Sequence, residues 1–162
     1  MNEVIRVGIS DIQIAKAPAG LKTIGLGSCI GLVIYQPDCP WSGLAHIMLP
    51  DSSMAKHPDV PPGKFADTAV SELIRLLRMK GASHRALKAK FAGGAEMFRS
   101  INGLGPVSIG SRNITAVKQQ LTDAQIPLIA CDVGGDKGRT VQFNPVTQVL
   151  HVYSINHVER RL

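Results

Sequence analysis

A cysteine and a histidine in two neighbouring apolar stretches are the residues of this chain whose types could do chemistry together. Cys29 lies in the glycine-rich stretch 25–31, GLGSCIG, and His46 lies in the next apolar stretch, 43–50, GLAHIMLP. If the two meet on adjacent strands, the imidazole can accept the thiol proton and leave a nucleophilic thiolate. The pair therefore indicates nucleophilic catalysis, unless Cys29 is a buried core residue, as free cysteines often are.

The glycines around Cys29 are compatible with three local structures. A dinucleotide-binding turn needs G-x-G-x-x-G in front of a helix, but Gly31 comes one position late. A thiol version of the nucleophile elbow, G-x-C-x-G, must also lead into a helix. Residues 30–35, IGLVIY, are rich in β-branched and aromatic side chains and favour a strand, so a tight bend between two strands is the third interpretation. Ser28 is the alternative nucleophile in this stretch, and would indicate an ordinary esterase.

Length, charge and cysteine content limit the class of protein. The 162 residues, 44% of them hydrophobic and 19% charged, are expected to form one domain spanning 1–162. We expect no secretory signal and no membrane insertion, since no apolar stretch approaches the roughly 20 residues that span a bilayer. Three cysteines without paired spacing favour the cytoplasm. The net charge of +6 is dispersed and aromatic residues are only 4%, which argues against nucleic acid and leaves an acidic protein partner open.

Neither a metal nor a phosphate-binding cofactor is indicated by the motifs. The three cysteines and His46 are not spaced as short-range zinc ligands. The glycine pairs at 93–94 and 134–135 lack the Lys–Ser/Thr ending of a P-loop. We therefore expect no metal and no cofactor.

Hydrophobic periodicity predicts about ten short strands and two helices. The clearest helix covers residues 65–80, where apolar residues repeat on one face. A second helix is expected over residues 113–124, with Ser111 or Asn113 as its cap. A glycine-rich loop precedes it, and residues 158–162 are expected to fray. Since two helices cannot cover both faces of a doubly wound parallel sheet, we expect a layered α/β sandwich with its strands in two sheets.

Five segments in a fixed order resemble one family over nearly the whole chain. They are GLGSC at 25–29, GLAHIMLP at 43–50, KFAGGAEMF at 90–98, IGSRN at 109–113 and DVGGDKGR at 132–139. This arrangement is similar to the CheD family of bacterial chemoreceptor glutamine deamidases. The resemblance implies a three-layer α/β/β sandwich with mostly antiparallel or mixed sheets. It also implies a cytoplasmic enzyme that hydrolyses the side-chain amide of selected receptor glutamines to glutamate.

The resemblance further implies the residues of the site. Cys29 would be the nucleophile, His46 the base, and Thr23 the third member of a triad that orients the imidazole. The backbone of the bend at Gly27 and Ser28 would bind the oxyanion. The reaction would release ammonia through a Cys thioester. Because thioester chemistry also accepts esters, a side activity as a receptor methylesterase is conceivable.

Two protein partners are implied as well. Cytoplasmic helices of chemoreceptors would be the substrate, and a CheC-type phosphatase of the phosphorylated response regulator would be a binding partner. The alternative function is a non-catalytic module that binds and stimulates this phosphatase. Two departures from the family pattern, Ser42 in place of a frequent glycine and a lengthened turn at 36–41, are expected to affect substrate access.

Overall fold

The chain folds into ten β-strands and two α-helices in the computed structural model, which describes residues 2–98, 108–156 and 158–162. The helices are α1 (Ala66–Met79) and α2 (Ile109–Asp123). The strands are β1 (Val4–Arg6), β2 (Ile12–Lys16), β3 (Gly20–Leu26), β4 (Ile30–Tyr35), β5 (Trp41–Ile47), β6 (Lys88–Gly93), β7 (Leu128–Val133), β8 (Arg139–Asn144), β9 (Val149–Ser154) and β10 (Glu159–Arg161). Part of the predicted glycine-rich loop, 99–107, lies outside the described residues.

Two mixed sheets of five strands each make up the β-structure. The first, which we call the outer sheet, has the order β1-β3-β8-β9-β10, and the second, the middle sheet, has the order β2-β5-β4-β6-β7. Neighbouring strands run antiparallel except for the parallel pairs β1–β3 and β6–β7. The prediction of mostly antiparallel or mixed sheets is confirmed.

The middle sheet is covered on both faces, and this determines the layer order. Strand β4 is buried at every position, as expected for a strand between two packed layers. One face of the sheet packs against the two helices, and the other packs against the outer sheet. The fold is therefore the predicted three-layer α/β/β sandwich. The two core clusters are represented by Leu32, Ile47, Phe91, Leu73 and Val117 on the helix side, and by Leu21, Val33, Leu44, Phe143 and Leu150 between the sheets.

Helix α2 begins earlier than the sequence pattern predicted, at Ile109 rather than at residue 113. Its N-cap is Ser108, whose side chain accepts the backbone N–H of Ser111, so both predicted caps, Ser111 and Asn113, are wrong. Gly110 concealed this first turn because glycine is a poor helix former. Glycine is required there, since a Cβ atom would lie 2.6 Å from the Gly94 carbonyl oxygen. Asn113 consequently lies inside the helix.

The last residues form a strand and do not fray. Strand β10 pairs with β9, and Leu162 exchanges two backbone hydrogen bonds with Leu150, at 3.0 and 3.1 Å. The Lys90 ammonium group, which is largely buried, donates a further hydrogen bond to the Leu162 carbonyl at 2.9 Å. These partners are far away in the sequence, so local polarity alone could not indicate them.

The two departures from the family pattern lie away from Cys29. Strands β4 and β5 are antiparallel, with Ile30 opposite Ile47 at one end and Tyr35 opposite Ser42 at the other. Cys29 precedes the first pair, whereas the 36–40 turn follows the second. The structure therefore gives no support to the expectation that these departures affect substrate access.

Replacing Ser42 with alanine is expected to raise the free energy of unfolding by about 1 kcal/mol. Ser42 is 2% exposed, and its hydroxyl group has no hydrogen-bond partner among the described residues. A buried polar group without a partner costs about 1–3 kcal/mol, which alanine avoids. Urea unfolding measures the change, with Ser71→Ala on the exposed face of α1 as the control. A lower unfolding midpoint for Ser42→Ala would contradict this expectation.

Candidate active site

Cys29 lies in the bend of residues 27–29 that joins β3 to β4, and the bend is anchored to the chain that follows β6. The Gly27 carbonyl accepts a hydrogen bond from Ala95 N–H, and the Cys29 carbonyl accepts one from Gly94 N–H, both at 2.9 Å. Gly93 has a φ angle of +123°, and a Cβ atom there would collide with the Cys29 carbonyl oxygen. The glycine pair at 93–94 therefore allows the close approach that fixes the Cys29 bend.

Asn113 of α2 holds the third carbonyl of the same bend. Its Nδ2 group donates to the Ser28 carbonyl at 2.9 Å and to the Met48 carbonyl at 3.1 Å, which uses both amide hydrogens. The Asn113 side chain is fully buried, and its Oδ1 atom has no partner among the described residues. The sequence analysis missed this role, although the helical spacing of Asn113 with buried Val117 and Leu121 could have indicated a buried polar residue.

The N–H groups of the bend are less engaged than its carbonyls. Gly27 donates its N–H to the Gly25 carbonyl at 3.2 Å, so this group is occupied. Within the described residues, the N–H groups of Ser28 and Cys29 have no partner. The C=O and N–H of a trans peptide point in opposite directions. Because the Gly27 carbonyl points to Ala95, the Ser28 N–H of the same peptide group points away from Ala95. In the same way, the Cys29 N–H points away from Asn113, which binds the Ser28 carbonyl. Of the two residues predicted to bind an oxyanion, Ser28 has a free donor and Gly27 does not.

His46 and Thr23 meet between the two sheets. Thr23 on β3 places its Oγ1 atom 2.7 Å from His46 Nδ1 and donates to the Val7 carbonyl, also at 2.7 Å. A hydroxyl group has one hydrogen to donate, and the carbonyl can only accept. Nδ1 must therefore carry the hydrogen of the neutral imidazole and donate it to Thr23. The other ring nitrogen, Nε2, is left with a lone pair that can accept a proton.

The free nitrogen of His46 and the Cys29 thiol occupy the same end of the middle sheet. His46 lies opposite Gly31, two residues after Cys29 in the chain. Its Nε2 atom is buried and has no hydrogen-bond partner among the described residues, and Cys29 is half-buried. The structure thus brings Cys29, His46 and Thr23 to one place, and a hydrogen bond joins His46 to Thr23. In the described chain the thiol and the imidazole do not hydrogen-bond each other.

Burial keeps both members of the Cys29–His46 pair neutral. Desolvation raises the pKa of the Cys29 thiol above its ordinary value. Desolvation also lowers the pKa of the His46 imidazole below its ordinary value. Each shift disfavours the charged form of its group. At neutral pH the resting site therefore holds a thiol and an imidazole, not a thiolate and an imidazolium.

Alkylation of Cys29 by iodoacetamide is expected to rise with pH through the whole range from 6 to 9. Alkylation requires the thiolate. Because the pKa of the Cys29 thiol is raised, the thiolate fraction of Cys29 at pH 7 is smaller than the thiolate fraction of a free cysteine. Peptide mapping by mass spectrometry separates Cys29 from Cys39 and Cys131. A rate for Cys29 that is already constant from about pH 6 upward would show a preformed ion pair and contradict this expectation.

A groove of about 460 Å³ opens beside the Cys29 bend. It reaches the bend through Ser28 and is lined mainly by the chain after β6 and by the first turn of α2. Its apolar part includes Met97 and Phe98, the latter 91% exposed. The polar side chains at its wall are Glu96, Ser108 and Arg112. The groove thus presents apolar and polar groups together beside the Cys29 bend.

Two further properties bear on the class of the site. In the described ranges, no three His, Cys, Asp or Glu side chains are grouped so as to hold a metal ion. Within the same ranges, neither helix is long and apolar enough to cross a membrane.

Comparison with known proteins identifies the family. The family model described as CheD chemotactic sensory transduction matches residues 48–154. The protein named chemoreceptor glutamine deamidase CheD from Halalkalibacterium halodurans is 43% identical over 100% of both chains. The proteins of that name from Bacillus velezensis and Bacillus subtilis are 46% and 44% identical, over 96% and 98% of this chain and 94% and 96% of their own. Among solved structures, the Bacillus licheniformis protein YfiH matches with a TM-score of 0.46 and 12% identity, over 75% of this chain and 51% of its own. The sequence resemblance is confirmed, and the chain belongs to the CheD family.

Proposed function

We propose that this protein is a chemoreceptor glutamine deamidase, which hydrolyses the side-chain amide of receptor glutamines to glutamate and releases ammonia. The observation that carries the proposal is the unpartnered Nε2 atom of His46, which lies at the same end of the middle sheet as the Cys29 thiol. The hydrogen bond between Nδ1 and the Thr23 hydroxyl fixes the orientation of the imidazole. Relatives 43–46% identical to this chain are named for this activity.

The first half of the proposed reaction forms a thioester. When the substrate amide reaches Cys29, His46 Nε2 takes the thiol proton and the sulfur attacks the amide carbonyl carbon. The carbonyl oxygen becomes an oxyanion, which the free N–H groups of Ser28 and Cys29 stabilise. The imidazolium then protonates the amide nitrogen, the C–N bond breaks, and ammonia leaves.

The second half returns the enzyme to its resting state. His46, neutral again, takes a proton from water, and the resulting hydroxide attacks the thioester carbonyl. The C–S bond breaks, glutamate is released, and the thiolate regains its proton from the imidazolium. Since the resting pair is neutral, the thiolate is only a minor form of the resting enzyme at neutral pH, and it becomes the main form when the substrate occupies the site.

The groove beside Ser28 supports a protein substrate. It has a volume of about 460 Å³ and exposes Met97 and Phe98 next to the polar wall residues. The net charge of +6 favours acidic partners, and receptor signalling helices are charged. Three free thiols fit a reducing, cytoplasmic location, where such helices lie. Binding of a CheC-type phosphatase and slow hydrolysis of receptor methyl esters are parts of the same proposal that rest on the family resemblance and on thioester chemistry.

The direct test is mass spectrometry of a receptor cytoplasmic fragment incubated with the protein. Conversion of glutamine to glutamate adds about 1 Da and is located by peptide sequencing. We expect conversion at a few specific glutamines and none in a fragment incubated without protein. If no glutamine is converted while the protein still binds a CheC-type phosphatase, the function is that of a regulatory binding module and the deamidase proposal is wrong.

Removing the Thr23 hydroxyl is expected to slow deamidation about 10- to 100-fold. Thr23→Val keeps the shape of the side chain but leaves His46 Nδ1–H and the Val7 carbonyl without partners. The hydrogen bond from Nδ1 to Thr23 strengthens when His46 becomes an imidazolium during the reaction. A hydrogen bond to a charged group contributes about 1.5–3 kcal/mol, and about 1.4 kcal/mol changes a rate tenfold. Thr23→Ser keeps the hydroxyl and is the matched control, expected within about threefold of the wild type. Equal rates for the valine and serine variants would contradict the orienting role.

A further inference from the structure

Asn113 has a contact with the Cys29 bend that the proposed triad does not use. It donates to the carbonyl oxygen of Ser28, which belongs to the Ser28–Cys29 peptide group. The N–H at the other side of this planar group is that of Cys29, one of the two donors proposed for the oxyanion. We propose that Asn113 is a positioning residue, which holds this peptide plane so that the Cys29 N–H faces the substrate carbonyl. This inference rests on the proposed function of Cys29.

The anchors of the bend differ in a way that makes the proposal testable. The Gly27 and Cys29 carbonyls are held by the backbone N–H groups of Ala95 and Gly94, which only a proline substitution would remove. The Ser28 carbonyl is held by the side chain of Asn113 alone among the described residues. Without it, the Ser28–Cys29 peptide can rotate, because its carbonyl no longer has a partner on that side. A rotation would turn the Cys29 N–H away from the oxyanion.

Burial and a second hydrogen bond fix the Asn113 side chain itself. It is fully buried, and its other amide hydrogen goes to the Met48 carbonyl at 3.1 Å. Met48 follows β5, the strand that carries His46, so one amide group joins the nucleophile bend to the end of that strand. The orientation of the amide is determined, since the reverse orientation would place Oδ1 against two carbonyl oxygens. Asn113 is therefore a rigid support for one peptide plane.

The test compares two reactions of Cys29, only one of which uses an oxyanion. For Asn113→Ala we expect the kcat of deamidation to fall about 10²–10³-fold, the loss typical of one oxyanion donor, with KM changed less than threefold. Alkylation of Cys29 by iodoacetamide forms no oxyanion, so its rate and pH dependence should stay within about threefold of the wild type. Asn144→Ala, which removes turn hydrogen bonds between β8 and β9, is the control for lost stability and should keep full kcat.

A second variant covers the case in which Asn113→Ala does not fold. In Asn113→Asp the introduced carboxyl can donate one hydrogen bond when neutral and none when ionised. Its kcat should therefore fall with rising pH where the wild-type kcat is constant or rising. A folded Asn113→Ala with kcat within threefold of the wild type, or an Asn113→Asp profile parallel to the wild type, overturns the inference. Parallel loss of deamidation and alkylation also overturns it, and a wild-type protein that converts no glutamine refutes the proposed function itself.

Discussion

Replacing Cys29 with alanine is expected to reduce deamidation of a receptor fragment by about 10⁴-fold or more. The thiol is the proposed nucleophile, and loss of a nucleophile removes the covalent pathway altogether. The fold should persist, since Cys29 is only half-buried and its backbone hydrogen bonds do not involve the sulfur. Mass spectrometry measures the conversion, and circular dichroism checks the fold.

The chain offers matched controls for this prediction. Cys39→Ala and Cys131→Ala remove the other two free thiols and should keep activity within about threefold of the wild type. Cys29→Ser replaces the thiol by a weaker nucleophile and should retain less than about one hundredth of the activity. Retention of more than a tenth of the activity by Cys29→Ala would transfer the nucleophile role elsewhere, first to Ser28.

Replacing His46 with glutamine is expected to lower the deamidation rate about 10²–10⁴-fold, the contribution of a positioned general base. Glutamine fills most of the space of the buried imidazole but cannot carry a proton from sulfur to nitrogen. The effect should appear in kcat more than in KM, because His46 is fully buried and does not line the groove. His57→Gln, in an exposed loop position, is the control and should leave the rate unchanged.

The same variant should change how stability depends on pH. The pKa of His46 is lowered by burial in the folded protein, and its unfolded value is about 6.5. Between these two values the unfolded chain binds a proton that the native state does not, so native stability falls as the pH falls below about 6.5. His46→Gln should show a smaller loss of stability over this range in urea unfolding. An unchanged slope would mean that the imidazole titrates normally in the native state.

Much of the fold could be predicted because its signals are local. The apolar face of α1 follows from residue periodicity, and the buried strand β4 follows from a run rich in β-branched and aromatic residues. The candidate nucleophile and base were also recognisable, since a Cys and a His stand out in apolar stretches. The role of Thr23 was implied only by the family resemblance, because a β-branched residue in a strand carries no functional signal of its own.

What the sequence concealed are interactions between distant segments. Asn113 resembled a helix cap because polar residues near a helix start usually cap it, yet its partners are Ser28 and Met48. Gly110 hid the early start of α2, because glycine is a poor helix former. The absence of a side chain at Gly110 allows the first turn of α2 to pack closely against Gly94. In each case the deciding contact joins residues far apart in the chain, and no periodicity or local propensity encodes such contacts.

The connection between Thr23 and His46 across the two sheets has a consequence for biosynthesis. The proposed nucleophile, base and orienting hydroxyl all leave the ribosome within the first third of the chain. Strand β3, which carries Thr23, gains its second neighbour only when β8 is made, and the Cys29 bend is held by α2. A partly synthesised chain thus carries the reactive thiol without its working geometry. Activity should appear only when the final strands are made, so fragments that end before β8 would bear every triad residue and still be inert.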